Sequence, residues 1–148
     1  MKAVKRIMLI ALGVTFLSGL ATADDRRYYD GRSATDDNVP PFSGAVLSNG
    51  TLYISGSLGL EDGKVPGDPE DEARNVMNAI KAAVESAGMT MNDIVFVQIF
   101  CSDVAHYGAF NNVYRTFFTE EYPARAFIGS GELLFGARFE VLATAVMK

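Results

Sequence analysis

The run PARAFIGSGELLFGARFEV, residues 123–141, carries the side chains best suited to chemistry. Arg125 opens one apolar, strand-like stretch, and Glu140 lies fifteen positions on, inside a second. A planar guanidinium grips a carboxylate through two parallel hydrogen bonds, which a lysine ammonium cannot do. A carboxyl group in a partly dry cleft can take a proton and give it back. The pair reads in two ways. Either Arg125 holds a small anion while Glu140 moves protons, or the two form an ion pair that only orders the sheet. Arg138 falls on the same face as Glu140 of an ideal strand and competes with Arg125 for either role.

The rest of the chain has to position these groups. Its 148 residues are enough for one domain with a real core. The first stretch, MKAVKRIMLIALGVTFLSGLATADD, has three basic residues, an apolar run from Ile7 to Leu20, and an Ala-Thr-Ala triplet. That is the layout of a signal peptide over residues 1–23, cleaved after Ala23. The apolar run is short for a membrane span, and no cysteine follows it to carry a lipid. The expected location is therefore periplasmic or secreted, with no membrane contact after cleavage. Removal of three positive charges would take the net charge from −5 to −8. So acidic a domain has no electrostatic reason to bind nucleic acid or an anionic membrane surface. The lone cysteine, Cys101, lies in the apolar run IVFVQIFC and reads as a buried, inert thiol. With one cysteine and one histidine, His106, no metal site is expected.

Residues 24–39 are polar, charged and aperiodic, and read as a flexible lead into a domain spanning 40–148. Asn49-Gly50, between two apolar runs, predicts a hairpin pairing 43–48 with 51–57. Asp68 and Pro69 open a helix as cap and first residue. Ala73, Val76, Met77, Ile80 and Val84 repeat at helical spacing, and Gly88 ends it. Residues 94–102 are apolar enough for a strand buried on both faces. A second helix is expected from about Val104 to Thr119, then strands at 125–131 and 137–146. If those last strands are neighbours, they form a hairpin centred near Glu132-Leu133. The order β-β-α-β-α-β-β gives an α+β fold with two helices packed on one face of a mixed sheet. The other face is left apolar, and oligomerisation is the usual way to cover it.

In this order and spacing the residues resemble the Rid family of reactive intermediate deaminases (RidA/YjgF type). The resemblance covers about residues 40–147. It rests on Leu52-Tyr53-Ile54-Ser55-Gly56, Asn78 within NAIKAAVESAGM, Asp93-Ile94-Val95, Phe110-Asn111-Asn112-Val113-Tyr114, Pro123-Ala124-Arg125 and Glu140. It implies a homotrimer of chorismate-mutase-like domains whose sheets form an inner barrel, with active sites in the clefts between subunits. It also implies hydrolysis of small 2-imino or enamine carboxylic acids to 2-keto acids and ammonia, without a cofactor. The arginine would hold the substrate carboxylate and the late glutamate would handle the water.

Under that resemblance Ser55, Gly56, Phe42, Phe127 and Asn111 become substrate-binding candidates beside Arg125 and Glu140. Ser55 either donates to the ligand or caps backbone groups at a strand edge. Asn111 either lines the cleft or caps locally. Gly56 allows a close approach or marks a bulge. Arg138 matches no family marker and is expected at a solvated or inter-subunit edge. Many family members carry a tyrosine where this chain has Phe42 and a cysteine where it has Phe127, and the Leu-Pro turn usual before the last strand is missing from GELLFGA. Two other functions fit the same residues: a trimer that binds small carboxylates without chemistry, and an interaction or holdase-like protein that uses its apolar surface. If the leader is read correctly, protein recovered from the cell envelope has an intact mass that lacks Met1–Ala23. A full-length mass in a soluble cytoplasmic fraction would overturn that reading.

Overall fold

Asn49 and Gly50 both adopt positive φ, 49° and 74°, and close a tight turn between two strands. The computed structural model describes residues 25–148 apart from Ala34 and Asp36. The leader expected over residues 1–23 lies outside them. The strands are β1 (Arg27–Tyr29), β2 (Ala45–Ser48), β3 (Thr51–Leu58), β4 (Ile94–Cys101), β5 (Ala124–Gly129) and β6 (Phe139–Val146), with helices α1 (Pro69–Ser86) and α2 (Tyr107–Tyr114). They form one mixed sheet in the order β1-β2-β3-β6-β4-β5. All pairs are antiparallel except β4 with β5.

Both helices cover one face of the sheet. The Asp68 carboxylate accepts the Glu70 N–H at 2.8 Å and caps α1, and Gly88 follows the helix at φ 77°. Val76, Met77, Ile80 and Val84 are fully buried against the sheet, and each such side chain contributes about 1.5–3 kcal/mol by leaving water. The second helix is shorter than its sequence suggests. Val104–His106 and Arg115–Phe117 are 3₁₀ turns on either side of α2.

Four expectations are corrected. The lead over 24–39 contains β1, which pairs with β2 through Arg27 opposite Leu47 and Tyr29 opposite Ala45. Backbone pairing, with no apolar pattern, orders it. Strand β4 is buried on one face only. Val97, Ile99 and Cys101 lie beneath the helices, while Val95 and Phe96 are exposed, because only one face of this sheet carries a helical layer. Strands β5 and β6 are not a hairpin. The β4–α2–β5 crossover puts β5 on the sheet edge, parallel to β4, and β6 enters between β3 and β4. Arg138 is not at a solvated edge. Its guanidinium meets the fully buried Glu72 carboxylate at 2.8 Å and donates to the Pro66 and Gly67 carbonyls.

Glu72 does more than neutralise Arg138. One of its oxygens accepts the backbone N–H groups of Arg138 and Phe139 at 2.6 and 3.2 Å. The first turn of α1 thus holds the start of β6. Removing one partner of a buried pair leaves an uncompensated charge and orphaned donors, a loss of about 3–5 kcal/mol. Glu72→Ala should therefore lower the urea unfolding free energy by an amount in that range. Glu72→Gln should lose less, because its amide oxygen still accepts a backbone N–H. A loss below about 1 kcal/mol for the alanine variant would mean that the pair contributes nothing net.

Candidate active site

Arg125 leaves β5 on the helix-covered face and is held from α2. Its Nη1 donates to Asn111 Oδ1 at 2.8 Å and its Nη2 to the Tyr107 hydroxyl at 3.4 Å. The guanidinium carbon lies 4.7 Å from the Tyr114 ring centroid, 5.8 Å from that of Tyr107 and 5.9 Å from that of Phe127. Tyr107, Asn111 and Tyr114 stand at i, i+4 and i+7, so one face of α2 supplies all three. No carboxylate among the described residues pairs with Arg125. The result is a half-buried, oriented cation with N–H groups to spare, beside a cavity of ≈ 250 Å³ bounded by Asn111, Tyr114, Tyr122 and Arg125. Asn111 takes the cleft-lining role.

Phe127 faces α2. Its ring packs edge-on against Tyr107 and Phe110 at 4.9 and 5.7 Å. It supports the tyrosine that touches Arg125. Tyr114 is 3% exposed, and its hydroxyl has no hydrogen-bond partner among the described residues. Burial pushes its phenol up to about 12, against a smaller lowering by the Arg125 charge. Burial also pushes the Cys101 thiol up, so it is a poor nucleophile.

Glu140 lines a second, larger cleft of ≈ 650 Å³ with Phe42, Ser55, Gly56 and the apolar side chains of Leu134 and Phe135. Its carboxylate lies over Gly56, where a Cβ would overlap Glu140 Oε1. The β3–β6 ladder shifts register between Ile54 and Ser57. Both readings of Gly56, bulge and close approach, therefore hold at once. Ser55 Oγ donates to the Ser43 carbonyl at 2.7 Å, which is its structural role. Among the described residues no group of three His, Cys, Asp or Glu side chains is placed to hold a metal ion.

Strand register decides how the two clefts relate. Arg125 pairs with Val97, and Val97 with Ala143, so all three share the helix-covered face. Glu140 lies an odd number of residues from Ala143 on β6 and points to the opposite, open face. One chain therefore presents Arg125 and Glu140 on opposite sides of its sheet. The ion pair that the sequence left open is not formed within the chain.

A mixed sheet of six strands with two helices on one face is the YjgF-type fold, and the comparisons agree. The family described as Endoribonuclease L-PSP matches residues 34–147. The chain belongs to that family, the RidA/YjgF family. A protein of Dermatophagoides farinae named 2-iminobutanoate/2-iminopropanoate deaminase is 35% identical over 113 residues, 74% of this chain and 88% of that protein. The crystal structure of RidA from an Antarctic Psychrobacter is similar with a TM-score of 0.69 at 31% identity, covering 74% of this chain and 90% of that one. E. coli TdcF with bound serine is similar with a TM-score of 0.71 at 28% identity, covering 74% and 91%.

The sequence alone did not pick out Tyr107 or Glu72. The helical repeat Tyr107–Asn111–Tyr114 was a usable signal for the first, while an acid in a first helical turn gave none for the second. Tyr114 yields a test with a fixed sign. A phenol whose pKa is higher folded than unfolded stabilises the fold below the unfolded value of 10.0 and loses that contribution as pH climbs towards about 12. The Tyr114→Phe variant should match or exceed the parent in stability near neutral pH, since no hydrogen bond is lost. Between pH 10 and 12 it should lose less stability than the parent, by on the order of 2 kcal/mol. Parallel alkaline losses in the two proteins would place this titration elsewhere.

Proposed function

We propose that this protein hydrolyses small 2-imino and enamine carboxylic acids to 2-keto acids and ammonia, at sites completed between the subunits of a homotrimer. One observation carries the reading. Arg125 is a braced guanidinium without a carboxylate partner among the described residues, and Glu140 faces away from it on the open side of the sheet. A closed cyclic assembly brings the Arg125 cavity of one copy against the Glu140 cleft of the next. The deaminase name of the mite relative and the amino acid bound to TdcF support a small carboxylate ligand. The endoribonuclease in the family's description finds no support in a chain of net charge −5, since phosphate backbones are held mainly by Lys and Arg. Following the leader, we place the reaction in the periplasm or outside the cell.

The chemistry follows from the two half-sites. Arg125 binds the substrate carboxylate through its remaining N–H groups and so fixes the adjacent C=N carbon. Glu140 takes a proton from a water molecule as the water oxygen bonds to that carbon. The C=N electron pair moves to nitrogen, which receives that proton from Glu140, and a tetrahedral carbinolamine forms. Glu140 then takes the carbinolamine hydroxyl proton and gives it to the amine, the C–N bond breaks, and ammonia leaves as the carbonyl closes. No cofactor is needed, because oxidation states at carbon and nitrogen do not change.

Ammonia release from a 2-imino acid generated in situ tests the reading directly. Binding without release would leave a carboxylate-binding trimer. Arg125→Lys should weaken 2-oxobutanoate binding about ten- to a hundredfold, because one charge-assisted hydrogen bond contributes roughly 1.5–3 kcal/mol. Glu140→Gln should keep binding and lose turnover. Each variant alone is expected to be impaired, the first in substrate affinity and the second in turnover. Trimers refolded from a mixture should regain activity, because one site in a mixed trimer joins an intact Arg125 to an intact Glu140. No recovery from the mixture would place both residues of a site on one chain and remove the inter-subunit arrangement.

A further inference from the structure

The walls around Glu140 are unlike its chemistry. Pro40, Phe42, Leu58, Leu134 and Phe135 surround the carboxylate with apolar surface in the ≈ 650 Å³ cleft. The polar side chains there are Glu140 and Ser55, and the Ser55 hydroxyl already donates to the Ser43 carbonyl. A ligand side chain with its own polar group would lose water in this cleft and find no partner for it. A methyl or ethyl group would meet little of this apolar wall.

Leu134 and Phe135 are 69% and 74% exposed, so the fold does not use their side chains as core. Phe135 nevertheless sits at φ 59°, ψ 15°, and Gly136 follows at φ 72°. Left-handed backbone is unfavourable for an aromatic residue. The turn holds it there through Gly136 N–H to the Leu133 carbonyl at 3.2 Å and Ala137 N–H to the Leu134 carbonyl at 3.1 Å. Strain kept at an exposed aromatic residue beside a carboxylate is a feature of sites. The same turn projects Leu134 into the cleft.

We infer that this site selects 2-imino acids bearing a branched or aromatic apolar side chain over those bearing methyl or ethyl, and that Leu134 and Phe135 set the preference. The inference rests on the function proposed above and names its substrate class. Arg125 of a neighbouring subunit fixes the carboxylate, Glu140 serves the imine carbon, and the substrate side chain lies on the Leu134–Phe135 wall.

Calorimetric titration of the purified protein with pyruvate, 2-oxobutanoate, 4-methyl-2-oxopentanoate and phenylpyruvate tests it. Each buried methylene tightens binding by about fourfold when fully removed from water. In an open cleft the two larger acids should bind at least about tenfold more tightly than pyruvate. Phe135→Gly removes the ring and relieves the backbone, so the variant should fold at least as well as the parent. It should weaken binding of the two larger acids more than that of pyruvate and so flatten the series, as should Leu134→Ser. Wild-type affinity that is level or falls with side-chain size overturns the inference, as does an unchanged slope in both variants. If Arg125→Lys weakens pyruvate binding while the slope is absent, only the substrate class is wrong. If no acid binds and Arg125→Lys changes nothing, the proposed function falls and the inference with it.

Discussion

The Glu72 carboxylate, with no exposure to solvent, decides where the last strand begins. It binds the Arg138 guanidinium, the Arg138 N–H and the Phe139 N–H together. A lone buried carboxylate would be costly, and these donors offset its loss of water. Gly59 makes the arrangement possible from the other side, because a Cβ there would overlap the Glu72 carbonyl as β3 ends against α1. Once Arg138 and Phe139 are fixed, the alternation of a β-strand leaves no choice for the next residue. Phe139 points into the core, so Glu140 points to the open face. A one-residue slip would bury Glu140 and expose Phe139, and the Glu72 network opposes that slip.

The same alternation constrains Arg125 independently. Its face is set by β5 pairing with β4, and its orientation by Asn111 and the two tyrosines of α2. Each of the two side chains is therefore positioned by a different part of the fold: the first turn of α1 for Glu140, and one face of α2 for Arg125. The sheet itself separates them. Its open face also carries Tyr53, Phe96 and Val146, all exposed in the single chain. Under the proposed assembly, covering that face and completing the site are one event. Binding and folding would then be coupled through subunit concentration.

Features encoded by neighbouring residues were readable before the structure: the Asn49-Gly50 turn, the Asp68-Pro69 helix start, the Met77 stripe and the Gly88 stop. The errors lie where distant residues decide. The stretch SGELLFG resembles a turn, and a turn between two strands suggests a hairpin. Yet β4, α2 and β5 are also strand, helix and strand, and that unit places its second strand parallel to the first. The crossover prevailed, because β6 has partners on both sides only in the centre of the sheet. Strand β1 has three residues and no buried side chain, so periodicity could not reveal it. Glu72 looked like an acid at a helix start, and only its distant partners Arg138 and Phe139 distinguish it from Glu70 and Asp71. Arg125 and Glu140 could be singled out by residue type, but their placement on opposite faces depends on two ladders that pass through β4.

The two aromatic departures from the family pattern act on different halves of the site. Phe127 packs beneath Tyr107, and Tyr107 in turn meets the Arg125 guanidinium, so its ring supports the arginine from behind. Phe42 is 54% exposed and stands at the Glu140 cleft. Its carbonyl accepts from Arg32 Nη1 at 3.1 Å, which ties the segment before β2 to the lead. A ring without a hydroxyl at that position cannot donate to a ligand, but it adds apolar wall beside Leu134 and Phe135. Arg125 and Glu140, the charged pair of the proposed hydrolysis, are thus kept while the walls of the Glu140 cleft are apolar. Under the proposed hydrolysis, sequence change of this kind alters which acid fits the site before it alters what happens to the C=N bond, because the reacting atoms would meet Arg125 and Glu140 and the side chain would meet the walls.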